Sequence, residues 1–186
     1  PVSGRQIVGL VTQNALFAIV FKVFCVVTLM NGIEIADCVM LGGQFFHPHR
    51  TMKTQSTLEL SDVQTIAAAA QAEAQKNNWA VSIAIVDAGG HLLHFQRLDG
   101  AAPISSHIAP AKAKTAALGQ RESKVYEDVI NGGRYSFLSA PTIEGMLEGG
   151  VPIMKDGACL GAVGVSGVKS PEDAQIAKAG IAAIGL

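Results

Sequence analysis

From residue 61 onward the spacing of apolar positions changes along the chain, and each change marks a predicted element. The segment after Ser61 carries apolar residues at helical spacing, and Gln64 stands where it would complete a capping box with Ser61 as the N-cap. The pattern predicts a helix from Ser61 to the asparagines at 77 and 78. Its predicted buried face comprises Val63, Ile66, Ala67, Ala70 and Ala74.

Two later stretches have the pattern of β-hairpins. The first is "WAVSIAIV" (79–86), the turn "DAGG" (87–90) and "HLLHFQR" (91–97). The second is "GVPIM" (150–154), the turn "KDG" (155–157) and "ACLGAVGVSG" (158–167). Because β-branched runs joined by short glycine-containing turns form antiparallel pairs, the sequence predicts two hairpins.

Three further helices are predicted around these hairpins. One begins near Ser106, and a short one covers "SKVYEDVIN" (123–131) and stops at the glycines that follow. The last has Ser170 as its N-cap, Pro171 at its first helical position and Asp173 completing the box. The order α, ββ, α, α, ββ, α predicts an α/β chain of the α+β kind, an antiparallel sheet carrying helices.

The first 51 residues do not share these patterns. Residues 15–30 are strongly apolar, but Lys22 interrupts them and they fall short of the roughly 20 residues of a membrane span. A secretory signal or anchor is one interpretation, since Arg5 precedes the apolar run. We favour another, in which residues 1–51 are an extension upstream of a natural start at Met52 and residues 52–186 form the domain.

Composition narrows the class of protein. Hydrophobic residues make up 49% of the chain and charged residues 16%, which is typical of a globular protein. A net charge of −1 and an aromatic content of 5% argue against a nucleic-acid-binding surface. Three cysteines without a CxxC spacing indicate neither a disulfide framework nor a zinc site, and favour a cytoplasmic location.

Small residues and few charges also bear on assembly. With a mean hydropathy of +0.33 and many Ala and Gly positions, a monomer would expose large apolar patches. Symmetric association would cover them. The sequence therefore predicts a homo-oligomer, at least a dimer, and no membrane span.

Two short motifs have simple interpretations. His91 and His94 have HxxH spacing, but residues three apart on a strand point to opposite faces and cannot share a metal ion. On this alternation His91, Leu93, Phe95 and Arg97 share one face. The run "GAVGVSG" (161–167) lacks the spacing and context of a dinucleotide-binding loop. Its small residues would let another backbone or a flat ligand approach closely.

The remaining polar residues suggest a cluster near the end of the first hairpin. Arg97 and Asp99 follow its second strand, and a helix start comes shortly afterwards, where free N–H groups favour an anion. We expect this loop, the helix and the glycine-rich strand to converge on one cleft. The helix contributes Ser105, Ser106, His107, Lys112, Lys114 and Thr115.

Four segments carry a family resemblance: "VSIAIVDAGGHLLHFQRLDGA", "IAPAKAKTA", "GGVPIMKDGACLGAVGVSG" and "PEDAQIAKAG". Over about residues 55–186 the chain resembles the GlcG/HbpS-like family, or haem-degrading domain family, and is similar to the C-terminal domain of PduO-type corrinoid adenosyltransferases. The resemblance implies a profilin-like fold with an antiparallel sheet of about five strands, homo-oligomers and haem binding. With Gly150 from the family pattern, the predicted ligand-binding set is Arg97, Asp99, Ser105, His107, Lys112, Thr115 and Gly150.

Three functions compete at this point. The first is a tetrapyrrole-binding protein, with His107 or His94 as the iron ligand and Arg97, Lys112 and Lys114 as cations for the propionates. The second is an enzyme acting on a small organic acid, in which Arg97 clamps a carboxylate and Asp99 or His107 moves a proton. The third is a non-catalytic assembly factor that binds a partner protein. No residue is assigned a catalytic role by the sequence.

Overall fold

A computed structural model of the chain describes residues 39–41, 44–46 and 54–186. The chain divides into two units, Pro1–Lys53 and Thr54–Leu186. In the first unit, β1 (Val39–Leu41) pairs antiparallel with β2 (Gln44–Phe46). The apolar run 15–30 and Met52 lie outside the described residues.

The second unit contains four helices and four strands in the predicted order. The helices are α1 (Leu60–Lys76), α2 (Ser105–Gly119), α3 (Lys124–Asn131) and α4 (Ser170–Ala182). The strands are β3 (Ser82–Asp87), β4 (Leu92–Arg97), β5 (Gly150–Lys155) and β6 (Ala158–Ser166). A short 3₁₀ helix, Tyr135–Ser139, follows α3.

The four strands of this unit form one antiparallel sheet in the order β4-β3-β6-β5. Each predicted hairpin is present, which confirms the antiparallel α+β architecture. The prediction of about five strands is wrong by one strand for this sheet. Between α3 and β5 the chain forms the 3₁₀ helix and a loop, and residues 132–149 contain no strand.

The central strands explain why their sequences are continuously apolar. Helices α1 and α4 cover one face of the sheet, and α2 covers the other. Buried on both sides, β3 and β6 need apolar or small residues at nearly every position. The core under α1 and α4 is built from large aliphatic side chains such as Ile66, Ile83 and Ile176, whereas the core under α2 is almost entirely alanine.

Helix α2 rests directly on β6. A Cβ atom at Gly164 would overlap the carbonyl oxygen of Ala109 and come within 2.5 Å of the backbone nitrogen of Ala113. The prediction that the glycine-rich strand permits a close backbone approach is thus confirmed, and the approaching backbone is that of α2. The alanines of α2 serve the same purpose because a larger side chain would hold the helix away from the sheet.

Both predicted capping boxes are wrong by one to two residues. Helix α1 has Glu59 as its N-cap, whose backbone N–H donates to Asp62 at 2.9 Å, and Ser61 lies inside the first turn. Helix α4 has Lys169 as its N-cap, whose N–H donates to Glu172 at 3.1 Å. In each case the acidic residue nearer the helix start takes the capping role.

We expect Gly164→Ala to destabilise the unit by at least about 2 kcal/mol, because the two nearest atoms that a Cβ would meet belong to the α2 backbone and cannot rotate away. Urea denaturation measures the change. The matched control is Gly157→Asn, at a turn position with φ of 78° and nothing within 4 Å of a Cβ, where the cost should stay below about 1 kcal/mol. Equal losses in the two variants would contradict the close-packing interpretation.

Candidate functional site

The first hairpin turn is held by Asp87. Its Oδ1 accepts hydrogen bonds from the N–H groups of Gly89 at 2.8 Å and His91 at 2.9 Å, and both carboxylate oxygens lie 3.1 Å from Nδ1 of His91. Burial alone would raise the pKa of Asp87, but these hydrogen bonds together lower it. His91 is therefore part of the turn. Groups of three or more side chains suited to a metal ion do not occur in the part of the chain that the structure describes.

The edge strand β4 presents an uncovered apolar face. In the ladder Phe95 pairs with Ala84, and Ala84 packs under α2, so Phe95 points to the α2 side of the sheet. Arg97 lies on the same side, because its ladder partner Ser82 contacts Ser105 of α2.

The register shifts between Ile85 and Val86, so Leu92 is the partner of Val86, which also packs under α2. Leu92 therefore shares the side of Phe95, and the alternation predicted from the sequence, which placed Leu93 there, is wrong at this irregularity. Leu92 is 56% exposed and Phe95 37% exposed, since α2 lies mainly over β6, β3 and β5. These exposed side chains form a strip of apolar surface that ends at the guanidinium group of Arg97.

The neighbouring flank of α2 runs alongside this strip in the opposite direction. At one end, Ser105 Oγ lies 2.8 Å from Oγ of Ser82, the ladder partner of Arg97. At the other end, a Cβ on Gly90 would lie 2.9 Å from Cγ of Lys114.

His107 shares the flank of α2 that carries Lys114. The two residues are seven positions apart, which is two turns of a helix, so both project from the same side. We call Leu92, Phe95, Arg97, His107 and Lys114 the β4–α2 surface.

His94 occupies the other face of β4. It pairs with Ile85 in the ladder, and Ile85 belongs to the core under α1 and α4. Its Nε2 is enclosed and has no hydrogen-bond partner. His91 and His94 thus face different environments.

A polar depression of about 500 Å³ lies where α1 ends and β4 ends. It contains an aromatic side chain, Trp79, a guanidinium, Arg97, and a carboxylate, Asp99. Within residues 54–186, neither Arg97 nor Asp99 takes part in an ion pair. The lining residues are Gln71, Gln75, Asn78, Trp79, Ala80, Arg97, Leu98 and Asp99.

Four members of the predicted ligand-binding set make internal contacts. Ser105 Oγ donates to the carbonyl of Ala102 at 2.6 Å, and Thr115 Oγ1 accepts from the N–H of Gly145 at 3.2 Å. The N–H of Gly150 donates to Ser123 Oγ at 2.8 Å, and Lys112 lies in a buried ion pair. The structure therefore joins Arg97 with Asp99 in one depression, but Ser105, His107, Lys112, Thr115 and Gly150 do not line it.

Lys112 is the member whose surroundings differ most from a ligand cleft. Its Nζ lies 2.8 Å from Oδ2 of Asp173 and 3.0 Å from the carbonyl oxygen of Val165, and the two side chains are 3% and 2% exposed. Burial raises the pKa of the Asp173 carboxyl, and the hydrogen bond and charge of Lys112 oppose that shift. The pair ties α2 to the start of α4.

The sequence contained a signal for this burial. Ala109, Ala113 and Ala116 mark the inward face of α2, and Lys112 stands beside it in phase, whereas Lys114 does not. Asp173, Trp79 and the two glutamines of the depression were not identified as partners from the sequence. Asp173 was assigned to a capping box, and a pattern within one helix does not show which distant element it meets.

Comparisons with known proteins match this unit. A family model described as haem degrading protein HbpS-like matches residues 58–182. Protein GlcG of Escherichia coli K12 is 55% identical over 115 residues, which are 62% of this chain and 85% of GlcG. Corrinoid adenosyltransferase PduO of Salmonella typhimurium is 31% identical over 142 residues, which are 75% of this chain and 42% of PduO.

A solved structure shares the fold. The crystal structure of the PduOC:heme complex superposes with a TM-score of 0.63 at 30% identity, covering 69% of this chain and 95% of that one. These similarities confirm the family resemblance read from the sequence. In the described part of this chain, no helix has the length and apolar character needed to cross a membrane.

We expect Lys112→Met or Asp173→Asn to cost about 3–5 kcal/mol of stability, because each leaves the other charged group buried without its partner. The double variant Lys112→Met/Asp173→Leu should recover most of that loss. Urea denaturation of the four proteins measures this. Lys178→Met, which removes the exposed pair with Glu122 at 2.9 Å, is the control and should cost about 1 kcal/mol or less. Single changes at the buried pair that cost no more than the control would contradict its structural role.

Proposed function

The chain belongs to the HbpS-like family of haem-degrading proteins, and we propose that it binds a tetrapyrrole, haem or a close relative, on the β4–α2 surface. The observation that supports this most is the exposed strip of Leu92 and Phe95, which ends at Arg97 and is flanked by His107 and Lys114. A relative of known structure, PduOC, was crystallised as a heme complex.

The chemistry of this surface fits the group. A porphyrin is flat and apolar over most of its area, which suits the side chains of Leu92 and Phe95. Its two propionates need cations, and Arg97 and Lys114 stand at opposite ends of the strip. Arg97 is able to bind a carboxylate through two parallel hydrogen bonds, whereas Lys114 acts as a single point charge.

His107 is the histidine best placed to hold the iron. It is exposed on the flank of α2, while Nε2 of His94 is enclosed on the other face of β4. His91 is tied to Asp87 in the turn. A neutral imidazole on the accessible flank would supply the ligand, and the iron would supply the redox chemistry that the family name describes.

The same surface is where we propose that copies of the chain associate. Leu92, Leu93 and Phe95 are 56%, 43% and 37% exposed on an edge strand, whose free backbone groups also favour pairing. A porphyrin lying on the strip would keep its other face open to water unless a second copy covered it. A homo-oligomer, at least a dimer, would therefore protect both the strip and the ligand.

A second candidate function rests on the polar depression. Arg97 and Asp99 lie there as opposite charges that are not paired with each other. A small organic acid would satisfy Arg97 by bidentate hydrogen bonding and leave Asp99 near its polar end as a proton acceptor. This candidate needs no iron ligand and no apolar strip.

Titration with haemin tests the first candidate. We expect a saturable shift of the Soret band, a shift lost or changed in position in His107→Ala, and affinity reduced about tenfold in Arg97→Met and Lys114→Met because each removes a charge-assisted contact. His91→Ala is the matched control and should titrate like the unchanged protein, since His91 belongs to the turn.

Two results would count against the proposal. The absence of a saturable shift at micromolar haemin would remove it, and equal losses in His91→Ala and His107→Ala would remove the assignment of the ligand. A rise in melting temperature with small carboxylates but not with haemin would favour the second candidate instead.

Sedimentation equilibrium tests the assembly. We expect a mass of at least twice the 19.3 kDa of one chain, and a shift toward the single-chain mass in Leu92→Glu, which places a charge in the proposed contact. Leu60→Glu is the control, because Leu60 is 70% exposed at the first position of α1, far along the chain from β4. A single-chain mass for the unchanged protein, or equal dissociation in both variants, would refute the β4 contact.

A further inference from the structure

A second, apolar cavity of about 330 Å³ lies between α3 and the loop that precedes β5. Its walls combine four apolar side chains with two carboxylates. We call it the α3 cavity, and it shares no residue with the β4–α2 surface or the polar depression. Its lining residues are Glu127, Ile130, Asn131, Leu138, Glu144, Met146 and Leu147.

The loop that forms one wall is anchored on both sides of the cavity. At Gly145 the loop backbone touches the backbone of α2, because a Cβ there would overlap Ala111, and Gly145 N–H donates to Thr115. The next anchor is the N–H of Glu148, which donates to Oε2 of Glu127 at 2.6 Å. The loop is thus held in place without filling the space between itself and α3.

A further anchor joins the loop to the start of α3. Ser123 Oγ donates to the carbonyl of Leu147 at 2.5 Å, and Tyr126 packs against Gly119 at the end of α2. Both walls are therefore held in place by hydrogen bonds and packing contacts of the fold itself. A cavity that the fold holds open needs little reorganisation before it accepts a ligand.

The charges around the cavity are negative. Glu127 and Glu144 form no ion pair within residues 54–186. Lys124, on the same helix as Glu127, forms ion pairs with Asp128 at 3.3 Å and with Glu148 at 3.5 Å. Arg134 lies over the ring of Phe137, 4.7 Å from its centre, and does not line the cavity.

This combination selects a chemical class of ligand. Ile130, Leu138, Met146 and Leu147 favour an apolar body, and the two unpaired carboxylates favour a positive charge at its end. The same carboxylates repel propionates and other acids. The volume is at the lower end of the range of about 300–1,000 Å³ seen for ligand pockets, which suits a molecule of one ring or a short alkyl chain.

We propose that the α3 cavity is a binding site for a small organic cation, an ammonium group carried on an aromatic or alkyl body. The ammonium lies between Glu127 and Glu144, and the apolar body packs against Leu138 and Met146. Glu144, which is exposed and holds no backbone group, supplies charge alone. Glu127 supplies charge and also fixes the loop through Glu148.

Calorimetric titration of the full chain with 2-phenylethylammonium tests this, with 2-phenylethanol as the neutral counterpart and 3-phenylpropionate as the anion. We expect saturable binding of the ammonium at least about fivefold tighter than that of the alcohol, and no saturable binding of the anion. In Glu144→Gln the ammonium should bind no better than the alcohol does. Glu127→Gln should give the same result, because its amide oxygen still accepts the N–H of Glu148.

Asp128→Asn is the matched control, since Asp128 carries the same charge on the same helix but does not line the cavity. It should change ammonium affinity by less than about twofold. Failure of the ammonium to bind saturably overturns the proposal, as does equal binding of the ammonium and the alcohol. An equal loss in Asp128→Asn and Glu144→Gln also overturns it, because the attraction would then be a general field. Haemin binding by Glu144→Gln should be unchanged, which separates this site from the tetrapyrrole surface.

Discussion

Helix α2 lies on strand β6 with no side chain between the two backbones at Gly164, and the accessible features of the β4–α2 surface follow from that contact. A helix so close to the sheet is centred over β6, β3 and β5, so it leaves the edge strand β4 uncovered on the same face. Leu92 and Phe95 are exposed for this reason, although their sequence is that of an ordinary half-buried strand. His107 and Lys114 lie on the flank of α2 that is next to these two side chains. The helix keeps this position because moving away from the sheet or toward its edge would break the contact at Gly164.

A close contact made of alanine and glycine buries little area per residue, which explains the buried ion pair at its edge. The core under α2 gains less from the hydrophobic effect than the aliphatic core under α1 and α4. Lys112 reaches from α2 past β6 to Asp173 at the start of α4, and also donates to the carbonyl of Val165. Desolvation makes such a pair a weak source of net stability, but it strongly disfavours any arrangement in which one partner loses the other. Its role here is to fix where α2 lies.

The elements that depend on local patterns were predictable, and those that depend on distant partners were not. Strands β3 and β6 are continuous apolar runs between glycine-containing turns, so their positions followed from the sequence. The predicted helix caps were wrong because the actual N-cap residues, Glu59 and Lys169, do not have typical N-cap side chains. Their backbone N–H groups donate to acidic residues three positions later. The single cleft predicted from the sequence is absent because Lys112 and Thr115 point to the β5 and β6 side of α2. There Lys112 pairs with Asp173, and Thr115 accepts a hydrogen bond from Gly145. Lys112 and Lys114 differ in their phase on the helix, and this difference could be recognised in the sequence.

The β4–α2 surface and the α3 cavity differ in the sign of their charge. The β4–α2 surface places Arg97 and Lys114 beside apolar side chains, and the α3 cavity places Glu127 and Glu144 beside apolar side chains. Because apolar contact is indifferent to charge, the ionic group at the edge would decide which amphiphile each of the two proposed sites accepts. A chain with a net charge of −1 achieves this with few charged residues, since neither carboxylate of the cavity is neutralised by a neighbour within residues 54–186. The near-neutral net charge is therefore the sum of two local regions of opposite charge. Helix α2 and the loop that Gly145 anchors to it separate the two regions.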